Sequence, residues 1–348
     1  MEELLPGLPT AELAAMGSEL ATVDDLGSLA GLAARQRVLL AQTVALGWSG
    51  EAACTLISGL NDRLTRRVLT LVARRHRLPP VDWCWLAMGS EGRDEQTLVS
   101  DQDNGLVFSA CDAGEAQALR ELFLPFAREA NEQLAACGFS LCPGNIMAGN
   151  PQWCLSVDEW RERFIEWVRC PDPVALLNAT IFFDLRPLHG KLELGRGLRT
   201  LIGRLTSDTP AFLHLMSINA LQVHPPLGFL GDVAVDDAEA VDLKKFGSRI
   251  FVDVARILAL ATATPSVNSF ARLREAGAAA GMQSREVAAA QAALSHLLRL
   301  RLEQQAAAGA ETPVFRPADL HEIDRVILKE SLHQARRLQQ RLKLNYSL

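Results

Sequence analysis

The chain has 348 residues, 49 % hydrophobic and 22 % charged, with a formal net charge of −6; this is material for two or three globular domains, and the acidic balance argues against broad nonspecific contact with nucleic acid. No run of eighteen apolar residues is present, which excludes a membrane-spanning helix, and the acidic start Met1-Glu2-Glu3-Leu4 lacks the basic, apolar and small-residue order of a secretory signal, so a cytoplasmic chain is expected. The seven cysteines are scattered without Cys-x-x-Cys spacing and read as free thiols of a reducing compartment rather than as zinc ligands or disulfides.

Residues 4–78 have helical periodicity. Thr10 is placed to cap a first helix and Asp24-Asp25 to start a second, with Leu29, Leu32, Val38, Leu39 and Ala45 on its apolar side. Ser49 is placed to cap a third over 50–76, where Leu56, Leu60, Leu64, Val68, Leu69 and Val72 recur at three- and four-residue spacing. Its basic end, Arg74-Arg75-His76-Arg77, suits the negative end of the helix dipole, and Pro79-Pro80 stops it.

The apolar run 83–88 reads as a strand that ends at Gly89-Ser90. A glycine there lets backbone amides approach a phosphate closely, and the Ser90 hydroxyl adds a donor. Arg93, in the following polar turn, can offer a planar fork to phosphate oxygens. Asp101 and Asp103 then open a second apolar run, Gly105-Leu106-Val107-Phe108, and period-two geometry puts both carboxylates on one face. Two carboxylates on one face suit Mg²⁺, which takes hard oxygen ligands and completes its shell with substrate phosphates.

A helix over 113–137 follows, with a kink or break expected at Pro125. Residues 139–147 read as a strand pair or bent strand. Residues 153–167 read as one amphipathic helix with Ser156 and Glu159 as a capping box, Trp153, Trp160 and Trp167 forming a core stripe. In the apolar run 181–186, Asp184 and Arg186 are expected to form an internal ion pair, the functional alternative being that Asp184 supplies a further metal-site carboxylate. Helices over 192–205, 210–222, 243–263, 284–307 and 317–344 suggest a five-helix bundle, interrupted at 225–228, at the acidic loop 232–242 and at 309–313, with an Ala-rich patch at 276–280. Lys244, Lys245 and Arg249 stand where a helix dipole disfavours cations, which reads as solvated surface charge or as a site near an anion.

The order Gly89-Ser90-x-Gly92-Arg93-x-Glu95, then Ser100-Asp101-Gln102-Asp103-Asn104, resembles the nucleotidyltransferase signature of the DNA polymerase β superfamily, in the form used by the uridylyltransferase of the PII signal protein. It is closer still to the nucleotidyltransferases of domain of unknown function 294, in which segments similar to 138–148 and to Phe182-Phe183-Asp184-Leu185-Arg186-Pro187-Leu188-His189-Gly190 follow. The resemblance implies an α/β nucleotidyltransferase core, a small mixed sheet with flanking helices, over 81–190, between an N-terminal helical region (1–80) and a C-terminal helical bundle (191–348) that binds the acceptor. It implies transfer of a nucleoside monophosphate from a triphosphate, with Gly89, Ser90, Gly92 and Arg93 binding nucleotide and Asp101 and Asp103 holding Mg²⁺. In the general pattern a third carboxylate stands on a later strand; the sequence has Ser140, Cys142 and Asn145 there, and Asp184 is the candidate to replace it. By the same resemblance the acceptor is a regulatory protein. The alternative is a catalytically silent nucleotide-sensing or scaffold protein; nucleic-acid end modification is disfavoured by the charge, and the sequence leaves oligomerisation open.

Overall fold

The computed structural model describes residues 10–229, 231–308 and 315–348; the expectations for 4–9, for the Thr10 cap and for a break at 309–313 lie outside what it describes. The chain divides into two units, the first made of 1–48, 52–163 and 185–198, the second of 49–51, 164–184 and 199–348.

In the first unit, helices α1 (Thr10–Thr22), α2 (Leu26–Val44) and α3 (Gly50–Ala73), the last from its third residue, precede the sheet. Asp25 caps α2 by accepting from the Ser28 amide at 2.7 Å, an arrangement that stabilises a helix by about 1 kcal/mol. The basic end of α3 is used in polar contacts: Arg67 and Arg74 pair with Asp24 at 2.7 and 2.9 Å, Arg75 pairs with Glu129 at 2.8 Å, and His76 Nε2 hydrogen bonds with the same carboxylate at 2.6 Å. Strand β1 (Trp83–Ala87) leads through a four-residue helical turn, α4 (Gly89–Gly92), to β2 (Asn104–Phe108), and α5 (Ala113–Ala136) is capped by Asp112 on the Glu115 amide at 2.8 Å. Pro125 lies within α5, which runs through it unbroken.

With β3 (Cys154–Ser156) and β4 (Arg186–Gly190) the sheet has the order β3-β2-β1-β4. The central strands β1 and β2 are antiparallel, Trp85 facing Leu106; β4 is antiparallel to β1, and β3 parallel to β2. All of β2 and most of β1 is buried, as near-continuous apolar strands require. Trp85, Phe108, Phe123 and Phe126 fill the core beside them.

The expected helix over 153–167 is corrected: Cys154–Ser156 is drawn into the sheet as β3, and the helix proper is α6 (Val157–Arg169). The boundary is chemical, because Ser156 Oγ accepts from the Glu159 amide (3.3 Å) while Glu159 accepts from the Ser156 amide (2.8 Å), the expected capping box. Trp153 and Trp160 stack at 6.2 Å, and all three tryptophans of the stripe are buried. The expected strand over 139–147 is a loop with a single bridge, Ser140 to Asp101, and a left-handed turn at Asn145.

In the second unit, Ile181 and Phe182 belong to the end of α7 (Pro173–Phe182), so Asp184 stands in a turn and not on a strand. Helix α8 (Leu192–Ser207) begins in the first unit; α9 (Pro210–Ala220), α10 (Arg249–Ala261), α11 (Ser269–Ala279), α12 (Ser284–Ala308) and α13 (Glu322–Tyr346) follow in the second. The region from 191 thus has six helices rather than five among the described residues. The additional one is α11, capped by Asn268 and anchored by buried Phe270, Leu273 and Ala276; only its end, from 276, lies in the Ala-rich patch of the sequence. A π-helical turn, Lys244–Ser248, precedes α10.

Candidate active site

Strand β1 leaves the sheet at Met88, whose N–H donates to the Asp103 carbonyl at 2.8 Å. The next residue, Gly89, has φ +54°, and a Cβ there would lie 2.4 Å from Asp103 Oδ2. Both the backbone conformation and the close approach require glycine. The turn's first hydrogen bond runs from Gly92 N–H to the Met88 carbonyl (2.9 Å), followed by Arg93 to Gly89 (3.2 Å) and Glu95 to Ser90 (2.9 Å). The amides of Gly89, Ser90 and Glu91 therefore precede its ladder. Arg93 donates from Nε to Glu95 at 2.9 Å, so its guanidinium is partly committed within the turn.

The Asp-x-Asp alternates as a strand does. Asp101 and Asp103 are half-buried, and Gln102 and Asn104 between and after them are buried. The two buried amides belong to a network centred on Asn131 of α5. Gln102 Nε2 donates to the carbonyls of Asn131 (3.0 Å) and Phe139 (3.1 Å), and Asn131 Nδ2 donates to Gln102 Oε1 (2.9 Å) and Asn104 Oδ1 (3.0 Å). The Ala148 and Gly149 amides complete it on Asn104 Oδ1 (2.8 Å) and Asn131 Oδ1 (2.9 Å). This network fixes the start of β2 and with it the face on which the two carboxylates stand. Sequence reasoning gave these three residues no role; the available signal was a Gln and an Asn at the inward parity of a strand, and an Asn among the apolar positions of α5.

Cys142 lies beside Asp103, in the loop where the general pattern has a further carboxylate. Burial raises its thiol pKa, and the negative charge of the neighbouring Asp103 adds to that. Three more acids surround the turn. Burial pushes the Glu91 carboxyl up to about 8, with the charges of Asp62, Asp103 and Asp94 adding and Arg186 opposing. Burial raises Asp94 as well. Arg186 donates from Nη1 and Nη2 to the two oxygens of Asp62 at 2.7 and 2.8 Å; burial works against its charge, but the bond to Asp62 and the surrounding carboxylates outweigh it and raise its pKa.

Asp184 has a different surrounding. Its carboxylate, in the second unit, is fully buried and accepts from Arg256 Nε (3.0 Å), Arg256 Nη2 (2.7 Å) and Arg272 Nη1 (2.6 Å). The expected pair with Arg186 is not formed. The sequence suggests the pair because both charges lie in one apolar run; with Asp184 in a turn rather than on a strand with Arg186, its partners come from α10 and α11 instead.

Among the described residues no group of three or more His, Cys, Asp or Glu is arranged to hold a metal. Asp101 and Asp103 supply two hard oxygen donors on one half-open face, a set that fits Mg²⁺ when substrate phosphates complete the shell. No described helix is long and apolar enough to cross a membrane.

The model of a protein family described as "Putative nucleotidyltransferase DUF294" matches residues 34–174, and that of its companion, "Putative nucleotidyltransferase substrate binding domain", matches 210–346. The chain belongs to the DUF294 nucleotidyltransferase family. Nothing among the curated proteins matches it. In this DUF294 member the Gly89 turn, Asp101 and Asp103 lie in the first match, and the second spans α9 to α13 from the first residue of one to the last of the other.

Proposed function

We propose that the protein is a Mg²⁺-dependent nucleotidyltransferase that moves a nucleoside monophosphate from a triphosphate onto an acceptor and releases pyrophosphate. The observation that carries this reading is the close approach of the Asp103 carboxylate to Gly89, where a Cβ would lie 2.4 Å from Oδ2, which brings the glycine turn and the Asp-x-Asp together. Gly89 and Ser90 present amides and a hydroxyl to the β and γ phosphates, Gly92 closes the turn, and the positive charge of Arg93 offsets charge on the leaving pyrophosphate. Asp101 and Asp103 would hold Mg²⁺, which when bound neutralises phosphate oxygens. We assign Asp184 a structural role, since three donors from two buried arginines already engage its oxygens.

The acceptor in this reading is a protein hydroxyl, bound by the helices of the substrate-binding match, and the setting is signal transduction in the cytoplasm. The division into 1–80, 81–190 and 191–348 is kept with one change of emphasis: the family match begins inside α2, so the first region contributes to the catalytic part. Incubation with each α-labelled nucleoside triphosphate, Mg²⁺ and a lysate of the source should give labelled protein together with released pyrophosphate. Tight triphosphate binding without label from any nucleotide would favour the second reading, a nucleotide-sensing or scaffold protein. One observation speaks for that alternative: a half-buried thiol, Cys142, stands beside Asp103 where the general pattern has an acid.

A further inference from the structure

Arg186, the first residue of β4, donates to more groups around the Gly89 turn than any single role in the sheet requires. Its Nη2 donates to the carbonyl of Glu91 (2.9 Å) and its Nε to that of Gly92 (3.3 Å), both at the end of α4. It pairs with Asp94 at 2.9 Å. Asp94 is a non-glycine residue at φ +57°, in the left-handed region that favours glycine. The guanidinium is itself seated bidentately on Asp62 of α3, and only 18 % of its side chain is exposed. The same face of α3 supports the next stretch of chain: Ser58 Oγ accepts from the Gln96 amide (3.0 Å) and Asn61 donates to Gln96 Oε1 (3.2 Å). Ser58, Asn61 and Asp62 follow the i, i+3, i+4 spacing of one helix face, so a polar stripe of α3 faces the turn.

We infer that Arg186, seated on Asp62, is the positioning residue of the nucleotide turn, holding 89–94 in the conformation that receives the triphosphate and making α3 part of the active site. The inference rests on the reading of that turn as the phosphate site. Arg186 touches no phosphate in this account; it acts through the carbonyls of Glu91 and Gly92 and the carboxylate of Asp94. Lysine cannot substitute, because three ammonium donors on one atom cannot span two carboxylates and two carbonyls as the planar five-donor fork does.

The test compares wild type, Arg186→Lys, Asp62→Asn and Arg67→Gln in two measurements. One is amide hydrogen exchange at Gly92, Arg93 and Glu95, whose N–H groups close the turn; the other is titration with ATP and UTP in Mg²⁺. Arg186→Lys and Asp62→Asn should accelerate exchange at these three amides about tenfold or more while the rest of the sheet stays protected, and should weaken triphosphate binding about ten- to a hundredfold. Arg67→Gln is the control, since Arg67 of the same helix bonds Asp24 and the carbonyl of Val23 rather than Asp62 or the turn, and should change neither. Unchanged exchange and unchanged affinity in Arg186→Lys would overturn the inference. Faster exchange with unchanged affinity would overturn the phosphate-site reading while leaving Arg186 as the pin of the turn, and a wild type that binds no triphosphate would do the same. If Arg186→Lys does not fold, Asp62→Asn carries both measurements.

Discussion

Asp184→Asn separates a structural from a catalytic carboxylate, and its consequence can be worked from the second unit alone. Asp184 and Arg272 have side chains with no solvent exposure and Arg256 has 2 %. Removing one partner of such a buried pair costs about 3–5 kcal/mol, because the remaining charge is left without compensation. Two features moderate the loss here: asparagine keeps one acceptor oxygen, and Arg256 retains Asp253 at 2.6 Å. The lower end, about 3 kcal/mol, is therefore expected for Asn and the upper end for Ala. At roughly 2–4 °C per kcal/mol for a domain of this size, the asparagine variant should melt about 6–12 °C below wild type. The assay is a thermal melt followed by titration with ATP and UTP in Mg²⁺ below the variant's transition, where affinity should match wild type. An unchanged melting temperature with lost triphosphate affinity would refute the reasoning and return Asp184 to the metal site.

Gly89→Ala should leave the fold intact but weaken triphosphate binding about tenfold or more, since the new Cβ displaces the Asp103 carboxylate; equal affinity by titration would mean that the turn and Asp103 do not act together. Glu91 keeps a proton in the folded protein up to about pH 8 that the unfolded chain releases near its ordinary 4.5. Its contribution to stability is thus complete below about pH 4.5 and is lost as pH rises through about 8. In metal-free buffer, denaturation midpoints of wild type should fall over that window more than those of Glu91→Gln, and parallel curves would rule this out. Thiol labelling of the native protein should be prompt at exposed Cys170, slower at exposed Cys111, whose thiol the hydrogen bond to Glu115 raises, and slow at Cys84 and Cys154, both pushed up to about 12 by burial; rapid labelling of either buried thiol would contradict the core placement.

The strands on both sides of the site were legible because each is a short apolar run bounded by a local breaker, Gly89 after one and the Asp-x-Asp before the other. The capping residues Asp25 and Ser156 were legible for the same reason, since their partners lie within three residues. What the sequence left open depends on partners far along the chain. Cys154–Ser156 has helical neighbours and becomes a strand only because β2 offers it an open edge. Asp184 and Arg186 are two residues apart, yet one is neutralised from positions 256 and 272 and the other from position 62, and no local period encodes either pairing. The amide network of Gln102, Asn104 and Asn131 was hidden likewise, because a buried polar residue on an apolar face has meaning only once its acceptors are in place.

The central claim, that the Gly89 turn and the Asp-x-Asp form one Mg²⁺-dependent triphosphate site, is tested most directly by calorimetric titration of ATP and UTP into wild type, Asp101→Asn and Asp103→Asn, with and without Mg²⁺. The account predicts that at least one nucleotide binds wild type with an affinity that rises at least about tenfold with Mg²⁺, and that either substitution removes most of this gain while the melting temperature stays within a few degrees of wild type. Equal affinity for all three proteins in the presence and absence of Mg²⁺ would contradict it.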